Sequence, residues 1–346
     1  MNTAAIPTRA LSQTKLWTWR DRAPWLLPLG LAIVAVTPEG YGHATVARMV
    51  PLTLLAVSVA VVTGWAGLPT LGQVAPYAAG AYTTARLALT GHTLAPVHLA
   101  AAAVVGAVTA GLLGVLLVRH RATVVLMLSL AVAELTTITA ARWRTVSGGT
   151  DGLAGIPAPR LLPGTPPLTA DRPVLLYATA VAVVATAATM LLLHRHHLLL
   201  TAVRGNEARA AASGHPVTTY LWLAHTGAGA VAGTAGALLI HTHRWITPTD
   251  VGFDTAALAL LAVVIGGTQS LPGAAAATLL ILGVRDVVAA DWPGHAPLLL
   301  GALFVAAVYL LPGGLAAVPA RLRAAARRSR VAGRPELLPS ASRRFP

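Results

Sequence analysis

The sequence of 346 residues contains no cysteine and only one lysine, Lys15. Without cysteine the chain has no disulfide, no thiolate nucleophile and no cysteine-based metal site. A P-loop requires Gly-Lys-Ser/Thr, and Lys15 follows Thr14, so the chain carries no ATP-hydrolysing motif of that kind. The His-Glu-x-x-His, Gly-x-Ser-x-Gly and Gly-x-Gly-x-x-Gly patterns of several enzyme classes are also missing.

Charged residues are scarce as well. They make up 10% of the chain, against about 25% in an average soluble protein. Hydrophobic residues make up 55%, and the mean hydropathy is +0.69. Too few charges are present to cover a soluble domain of this size, and a disordered chain would be poor in apolar residues. The composition therefore predicts an all-α integral membrane protein with several spans.

Ten apolar segments approach the roughly 20 residues that a membrane helix needs. Together they predict one transmembrane domain over 24–316, with a basic tail before it at 1–23 and another after it at 317–346. The predicted spans are about 24–38, 44–63, 72–90, 96–118, 122–141, 173–194, 217–240, 254–268, 272–290 and 296–312.

The distribution of positive charge predicts the orientation. If both termini are cytoplasmic, the cytoplasmic segments contain 17 of the 25 Lys and Arg residues. This bias follows the positive-inside rule and predicts a multi-pass protein of the plasma (inner) membrane. The net charge of +14 then indicates basic tails beside anionic membrane lipid rather than nucleic-acid binding.

Two predicted loops are long: an outside loop at about 143–172 and an inside loop at about 195–216. The inside loop predicts a short helix over 201–213, broken by Gly205 and ended by Gly214 and Pro216. Its alanines and charged residues fit either docking into a groove of another protein or contact with lipid headgroups.

Three glycine-rich segments interrupt the spans, at 64–73, 147–157 and 266–273. Non-helical backbone at membrane depth survives only beside protein or a water-filled cavity, and broken helices often mark transport pathways. Close helix packing also explains glycine. Three such segments in one chain favour a pathway, and the likeness of 67–72 to 267–273 hints at an internal repeat.

In order along the chain, these segments resemble the permease subunit of branched-chain amino acid ABC importers, in particular the LivM-like type. Gln269 stands where the family usually has glycine, and Gly205 stands where it usually has glutamate. The matching segments are Gly64-Trp-Ala-Gly with Leu71-Gly-Gln-Val-Ala and Gly80-Ala-Tyr, Gly148-Gly-Thr-Asp-Gly-Leu-Ala-Gly-Ile, Ala202-Val-Arg-Gly-Asn-Glu-Ala-Arg, Val264-Ile-Gly-Gly-Thr-Gln-Ser-Leu-Pro-Gly and Leu311-Pro-Gly-Gly-Leu.

The resemblance implies a type II ABC importer permease fold of about ten helices. It implies no catalytic residue and no cofactor in this chain, with ATP and Mg bound by partner ATPases. The implied partners are a second permease subunit, two ABC ATPase subunits and an external substrate-binding protein. The implied solutes are branched-chain or other small amino acids, and related permeases that carry urea or short amides are the alternative.

Candidate site residues follow from these segments and from polar residues inside the spans. For ATPase coupling they are Arg204, Asn206, Glu207, Ala210 and Gly214. For the translocation pathway they are Gly67, Gly72, Gln73, Glu134, Gly266, Gly267, Gln269, Ser270 and Gly273. For the outside loop they are Gly148, Gly149, Asp151 and Gly152.

Glu134 is the one acidic residue well inside a predicted span. A charge at the bilayer centre costs at least about 2.5–3.5 kcal/mol on insertion scales, so we expect Glu134 to face the bundle or a cavity. It is either a polar group of the pathway or the partner of a nearby hydroxyl, Thr136 or Thr137.

Other functions find less support. A membrane-embedded enzyme needs clustered His, Asp or Glu at one depth, and an ion-coupled transporter needs more intramembrane carboxylates than Glu134. Two groups of histidines invite a metal site, but interfacial histidines explain them better, because the first group has no carboxylate beside it. These histidines are His194, His196 and His197 at the inside, and His241 and His243 at the outside.

Overall fold

The computed structural model describes residues 41–120 and 122–291, isolated positions between 298 and 309, and the segment 314–317. The first predicted span, the N-terminal tail, nearly all of the C-terminal tail and most of the tenth span lie outside the described residues. Helices α1 to α10 of the described part are Tyr41–Ala60, Val74–Leu89, Ala95–Leu117, Ala122–Arg142, Arg144–Ser147, Asp171–Gly205, Glu207–Ala212, Val217–His243, Phe253–Gly266 and Leu271–Asp291.

Eight of the ten predicted spans lie in the described part, and each is a helix there. Within the described residues, six spans are long and apolar enough to cross a membrane: Gly42–Trp65, Ala95–Leu117, Thr123–Arg142, Asp171–His196, Val217–His243 and Pro248–Gly266. Helix α2 has 16 residues and is largely buried by its neighbours. The membrane-embedded helical fold is confirmed at this level, and the count of ten stays a prediction.

The largest departure from the predicted bounds is α6. Its apolar run ends near His194, but the helix continues to Gly205. Residues 198–204 favour the helix because Leu, Ala and Arg are strong helix formers, and Leu200 and Val203 are buried against the rest of the chain. The predicted break at Gly205 is confirmed, but the part of the predicted helix before it is the end of α6 and not a separate loop helix, while the part after it is α7.

Helix α8 lies at the centre of one half of the bundle, in contact with α3, α2 and α1. Its glycine face lets the backbones approach closely, since a Cβ at Gly233 would collide with the Ala102 carbonyl oxygen and lie 3.0 Å from Gly106 Cα. Gly80 of α2 faces Gly233 in the same way. The glycines of α8 thus serve helix packing, as membrane helices commonly use them.

Helix α1 lies in the other half of the bundle, where it packs against α6, α9 and α10. Pro51 lies inside α1 without ending it, as neighbouring helices allow in a membrane protein. The helix ends in one π-helical turn, Val61–Trp65, in which the Ala66 amide donates to the Val61 carbonyl at 3.1 Å. After this turn the chain runs without regular helix to Val74.

The loops gather at two ends of the bundle. At one end Leu94 pairs with Arg160, and Leu153 pairs with Ile246. At the other end Arg204 contacts Gly64. The segments predicted to lie outside are thus together at one end and those predicted to lie inside are together at the other. Which end faces the cytoplasm stays a prediction from charge.

Candidate coupling site and translocation pathway

Two of the three glycine-rich segments meet at the end of the bundle that charge predicts to be cytoplasmic, which we call the inner end, the opposite end being the outer end. A Cβ at Gly64 would collide with the Thr268 carbonyl oxygen, so only glycine permits this contact between the two segments. Within the segment 266–273, Gly266 lies against Gly273. Gly314 packs on Gly267, whose φ of 98° suits glycine. We call the contacts among 64–67, 266–273 and Gly314 the inner glycine junction.

Arg204 adds the end of α6 to this junction. Its Nη1 donates to the Gly64 carbonyl oxygen, in the last turn of α1. Its Cγ would lie 3.1 Å from a Cβ built on Gly67, which has a left-handed φ of 75°. The predicted coupling residue Arg204 and the predicted pathway residue Gly67 are therefore in direct contact, which the sequence did not indicate.

Gln73 belongs to a buried polar group between helices. Its Oε1 accepts a hydrogen bond from Ser58 Oγ at 3.2 Å, and its Nε2 lies 3.4 Å from His225 Nδ1. The single hydroxyl hydrogen of Ser58 is shared with the Ala228 carbonyl oxygen, which lies 2.8 Å from Ser58 Oγ. Gln73 is fully buried, so its polar atoms join α1, α2 and α8 rather than line an open cavity.

Gly72 and Ser270 also face protein. Gly72 lies beside Ser129 of α4, which accepts from the Leu71 amide at 3.0 Å. Ser270 Oγ accepts from the Gly273 amide at 3.1 Å and stabilises the start of α10. Gln269, in contrast, belongs to the inner glycine junction but has an exposed side chain.

The coupling residues form a short exposed element. Asn206 Oδ1 accepts from the Arg209 amide at 2.9 Å and caps the N-terminus of α7. Ala210 is buried and anchors the helix, while Glu207 is exposed. Gly214 has the left-handed φ of 83° that the sequence predicted. An open groove of about 660 Å³ lies beside the helix, lined by Glu207, Ala208, Ala211, His215, Pro216 and Val217–Thr219.

Glu134 lies two residues from the middle of α4, on an exposed face of the chain. Glu134 therefore does not face the interior of this chain's own bundle, and the expectation that it faces a cavity stays a prediction. Thr136 and Thr137 donate to carbonyls of their own helix, at 2.7 and 3.2 Å, so neither hydroxyl is shown binding Glu134. The large side chains that share its face are also exposed: Val124, Met127, Leu130, Leu135 and Ile138.

The outside loop is fixed by backbone contacts. Gly148, Gly149 and Gly152 all have φ between 74° and 79°. Leu153 and Ile246 exchange backbone hydrogen bonds of 2.9 and 3.0 Å beside Gly152. Asp151 is exposed, and its Oδ1 accepts a hydrogen bond from Thr150 Oγ1 at 3.4 Å. The loop is thus a shaped outer surface, separated from the inner glycine junction by the length of the bundle.

Sequence reasoning missed a buried chain of hydrogen bonds at the outer end. His98 Nε2 contacts the His92 carbonyl at 2.6 Å, His98 Nδ1 lies 3.0 Å from His241 Nε2, and His241 Nδ1 lies 3.0 Å from Tyr177 Oη. His241 is enclosed by the protein, with 2% of it exposed, and its interfacial depth stays a prediction. A polar residue inside an apolar span was the available signal for His98.

In the part of the chain that the structure describes, no group of three or more His, Asp or Glu is placed to hold a metal ion. His196 of the predicted inner histidine group is exposed and lies 6.3 Å, ring to ring, from Tyr220.

Apolar spans, interrupted helices and a short exposed helix at one end are the features of a membrane permease. The model of the family described as "Branched-chain amino acid transport system / permease component" matches residues 43–308, and the chain belongs to that family. This confirms the resemblance found in its motifs.

Two curated relatives carry the same description. The high-affinity branched-chain amino acid transport system permease protein LivM of Salmonella typhimurium (strain LT2) is 28% identical over 324 residues, which cover 84% of this chain and 74% of that protein. LivM of Escherichia coli (strain K12) is 28% identical over 292 residues, covering 76% and 67% respectively. No solved structure matches the chain.

Proposed function

We propose that this chain is the permease subunit of an ABC importer for branched-chain or other small amino acids. The observation that carries the proposal is the family match over residues 43–308, supported by the two LivM relatives. Because the chain carries no P-loop, ATP and Mg bind to two partner ATPases, and a second permease subunit and an external binding protein complete the importer. Both termini lie in the cytoplasm, and about ten helices cross the plasma membrane.

The ATPase docks on α7 and its groove. Small side chains at Ala208 and Ala211 leave room for a partner surface, and Glu207 offers a charge at the rim. Asn206 and Ala210 fix the helix on the chain, so movement of the docked ATPase moves the end of α6 as well.

The solute passes along the exposed face of α4, between this chain and the second permease subunit. A carboxylate near the middle of a span is costly in lipid, so a protein or water-filled boundary at Glu134 is favoured over a lipid boundary. Its negative charge complements the ammonium group of an amino acid. The inner glycine junction, with Gly266, Gly267 and Gln269, forms the inner end of this route.

The proposal is tested by purifying the tagged chain in mild detergent and identifying what accompanies it. We expect P-loop ATPases and a second permease, and, after reconstitution with the binding protein, ATP-dependent uptake of leucine. Recovery of the chain alone, or uptake driven by a proton gradient without ATP, would contradict the proposal. Uptake of urea in place of leucine would support the proposed role as a permease but contradict an amino acid as its solute.

A matched pair of variants tests the docking surface. Glu207→Arg reverses a charge at the groove and is expected to remove most of the copurifying ATPase. Arg195→Glu reverses a charge on an exposed position of α6 near the same end and is expected to leave the ATPase bound. Equal recovery with both variants would place the ATPase elsewhere.

A further inference from the structure

Arg204 is exposed, as a residue expected to face a partner should be, and its head group also binds this chain. Nη1 donates to the Gly64 carbonyl oxygen, while the Cγ methylene lies over Gly67. The carbonyls in the last turn of a helix have no partner further along that helix and carry partial negative charge. A guanidinium placed there neutralises that charge and fixes the end of α6 to the end of α1.

Gly64 also contacts the third glycine-rich segment, 266–273. Since the Cβ direction of Gly64 points at the Thr268 carbonyl, no side chain separates the two backbones. Gly267 in turn bears Gly314. Arg204, Gly64 and Thr268 therefore form an unbroken series of contacts from the end of α6 to the loop between α9 and α10.

Two residues separate the start of this series from the docking helix α7. Gly205 and Asn206 are the only residues between Arg204 and α7, and the Asn206 amide still bonds to the Ala202 carbonyl at 3.0 Å. The groove beside α7 is lined by Glu207 and residues after it, and Arg204 is not among them. The docking surface and the Arg204 contact are thus adjacent but use different side chains.

We infer that Arg204 is a positioning residue that transmits movement of α7 to the inner glycine junction, through its bond to Gly64 and the contact of Gly64 with Thr268. The inference rests on the proposed function. When the ATPase displaces α7, Arg204 draws the end of α1 and the loop after α9 along with it. Without the guanidinium, the ATPase still docks and hydrolyses ATP, but the junction no longer follows.

The test compares four forms of the reconstituted complex: wild type, Arg204→Gln, Arg204→Lys and Arg119→Gln. Arg119 is exposed at the same end of the bundle and is the matched control for loss of a positive charge. For each form, the copurifying ATPase, the rate of leucine uptake and the ATP hydrolysed per leucine are measured. The last ratio reports transmission, because a purely structural defect lowers uptake and hydrolysis together.

We expect Arg204→Gln to retain its ATPases while the ATP used per leucine rises about tenfold, the factor that one charge-assisted hydrogen bond contributes at minimum. Arg204→Lys, which keeps the charge and a donor, is expected to recover part of the coupling. Arg119→Gln is expected to behave as wild type.

Two results would overturn the inference alone: an unchanged ratio in Arg204→Gln, or loss of the ATPases from that variant, which would make Arg204 a docking residue. If Arg204→Gln does not fold, Arg204→Met, which keeps the methylenes over Gly67 and removes the donor, decides, and a wild-type ratio in that variant overturns the inference. A wild-type complex without ATPases or leucine uptake would overturn the proposed function and the inference with it.

Discussion

Polar side chains inside the apolar helices of this protein are of two kinds, buried and exposed. Ser58 and Ser129 are buried and bond to neighbouring helices or loops, whereas Glu134 is exposed on α4. A buried hydroxyl satisfied by a carbonyl stabilises one chain by itself. An exposed carboxylate inside a span is costly in lipid, so we expect another protein chain or water to cover Glu134 in an assembly.

Glu134→Gln is expected to lower leucine uptake by about tenfold or more, since a charge-assisted hydrogen bond to the solute ammonium is replaced by a neutral one. Leu135→Met, a change of similar volume on the same exposed face, is the control. Uptake is measured in the reconstituted complex. Unchanged uptake in Glu134→Gln would show that the carboxylate does not meet the solute.

The series of hydrogen bonds from Tyr177 to His92 is a second feature at the residue scale. With both imidazoles neutral, the His98 Nε2–H donates to the His92 carbonyl, so His98 Nδ1 accepts from His241 and His241 Nδ1 accepts from Tyr177. Each hydrogen bond thus has a defined direction, and the chain joins α6, α8 and α3.

His241→Leu leaves the Tyr177 hydroxyl and His98 Nδ1 without partners, at a cost of about 1–3 kcal/mol for each buried group. A lower melting temperature in detergent is expected. His92→Ala removes an exposed side chain but keeps the carbonyl that His98 uses, so it should melt as wild type. Equal melting temperatures of the two variants would contradict a stabilising role for this series of hydrogen bonds.

At the scale of elements, the glycines of α8 separate into those that pack and those that do not. Gly233 lies against Ala102 and Gly106, whereas Gly227 has nothing within 4 Å of a Cβ position. The sequence shows both residues in the same apolar helix and gives no means of distinguishing them. The distinction depends on which face meets α3, which only the folded chain defines.

Gly233→Ala is expected to destabilise the protein by about 1–3 kcal/mol, because the added methyl overlaps backbone atoms of α3 that cannot move aside. Gly227→Ala adds the same methyl into open space and improves helix propensity by up to about 1 kcal/mol. Thermal unfolding in detergent measures both. A similar loss of stability in both variants would contradict the packing argument.

The agreement between the predicted and the observed structure differs from one element to the next. Hydropathy located α1, α3, α4 and α8 within a few residues, because an apolar helix in lipid is set by its own composition. It missed the end of α6, since helix beyond the membrane no longer needs apolar residues. The glycine-rich segments were predicted as breaks from residue type, but their meeting at Gly64 and Thr268 is a long-range contact without a local signal.

At the scale of the molecule, the two groups of loops predict a simple labelling pattern. The chain has no cysteine, so any introduced thiol is the only one. Thr150→Cys and Ser213→Cys place it at exposed positions of the two opposite loop groups. An impermeant maleimide is expected to label Thr150→Cys in intact cells and Ser213→Cys only after permeabilisation. The reverse pattern would invert the topology inferred from arginine.

The continuity of α6 sets a scale for the movement that coupling requires. Its 35 residues give a rod of about 50 Å, against a hydrocarbon core of about 30 Å. Tyr177 near its outer end and Arg204 at its inner end are separated by about 40 Å of helix at 1.5 Å per residue. If Tyr177 acts as the fulcrum, a tilt of about 5° displaces Arg204 by about 3.5 Å, which exceeds the length of a hydrogen bond. A small angular change at the ATPase is therefore enough to open or close the contact with Gly64.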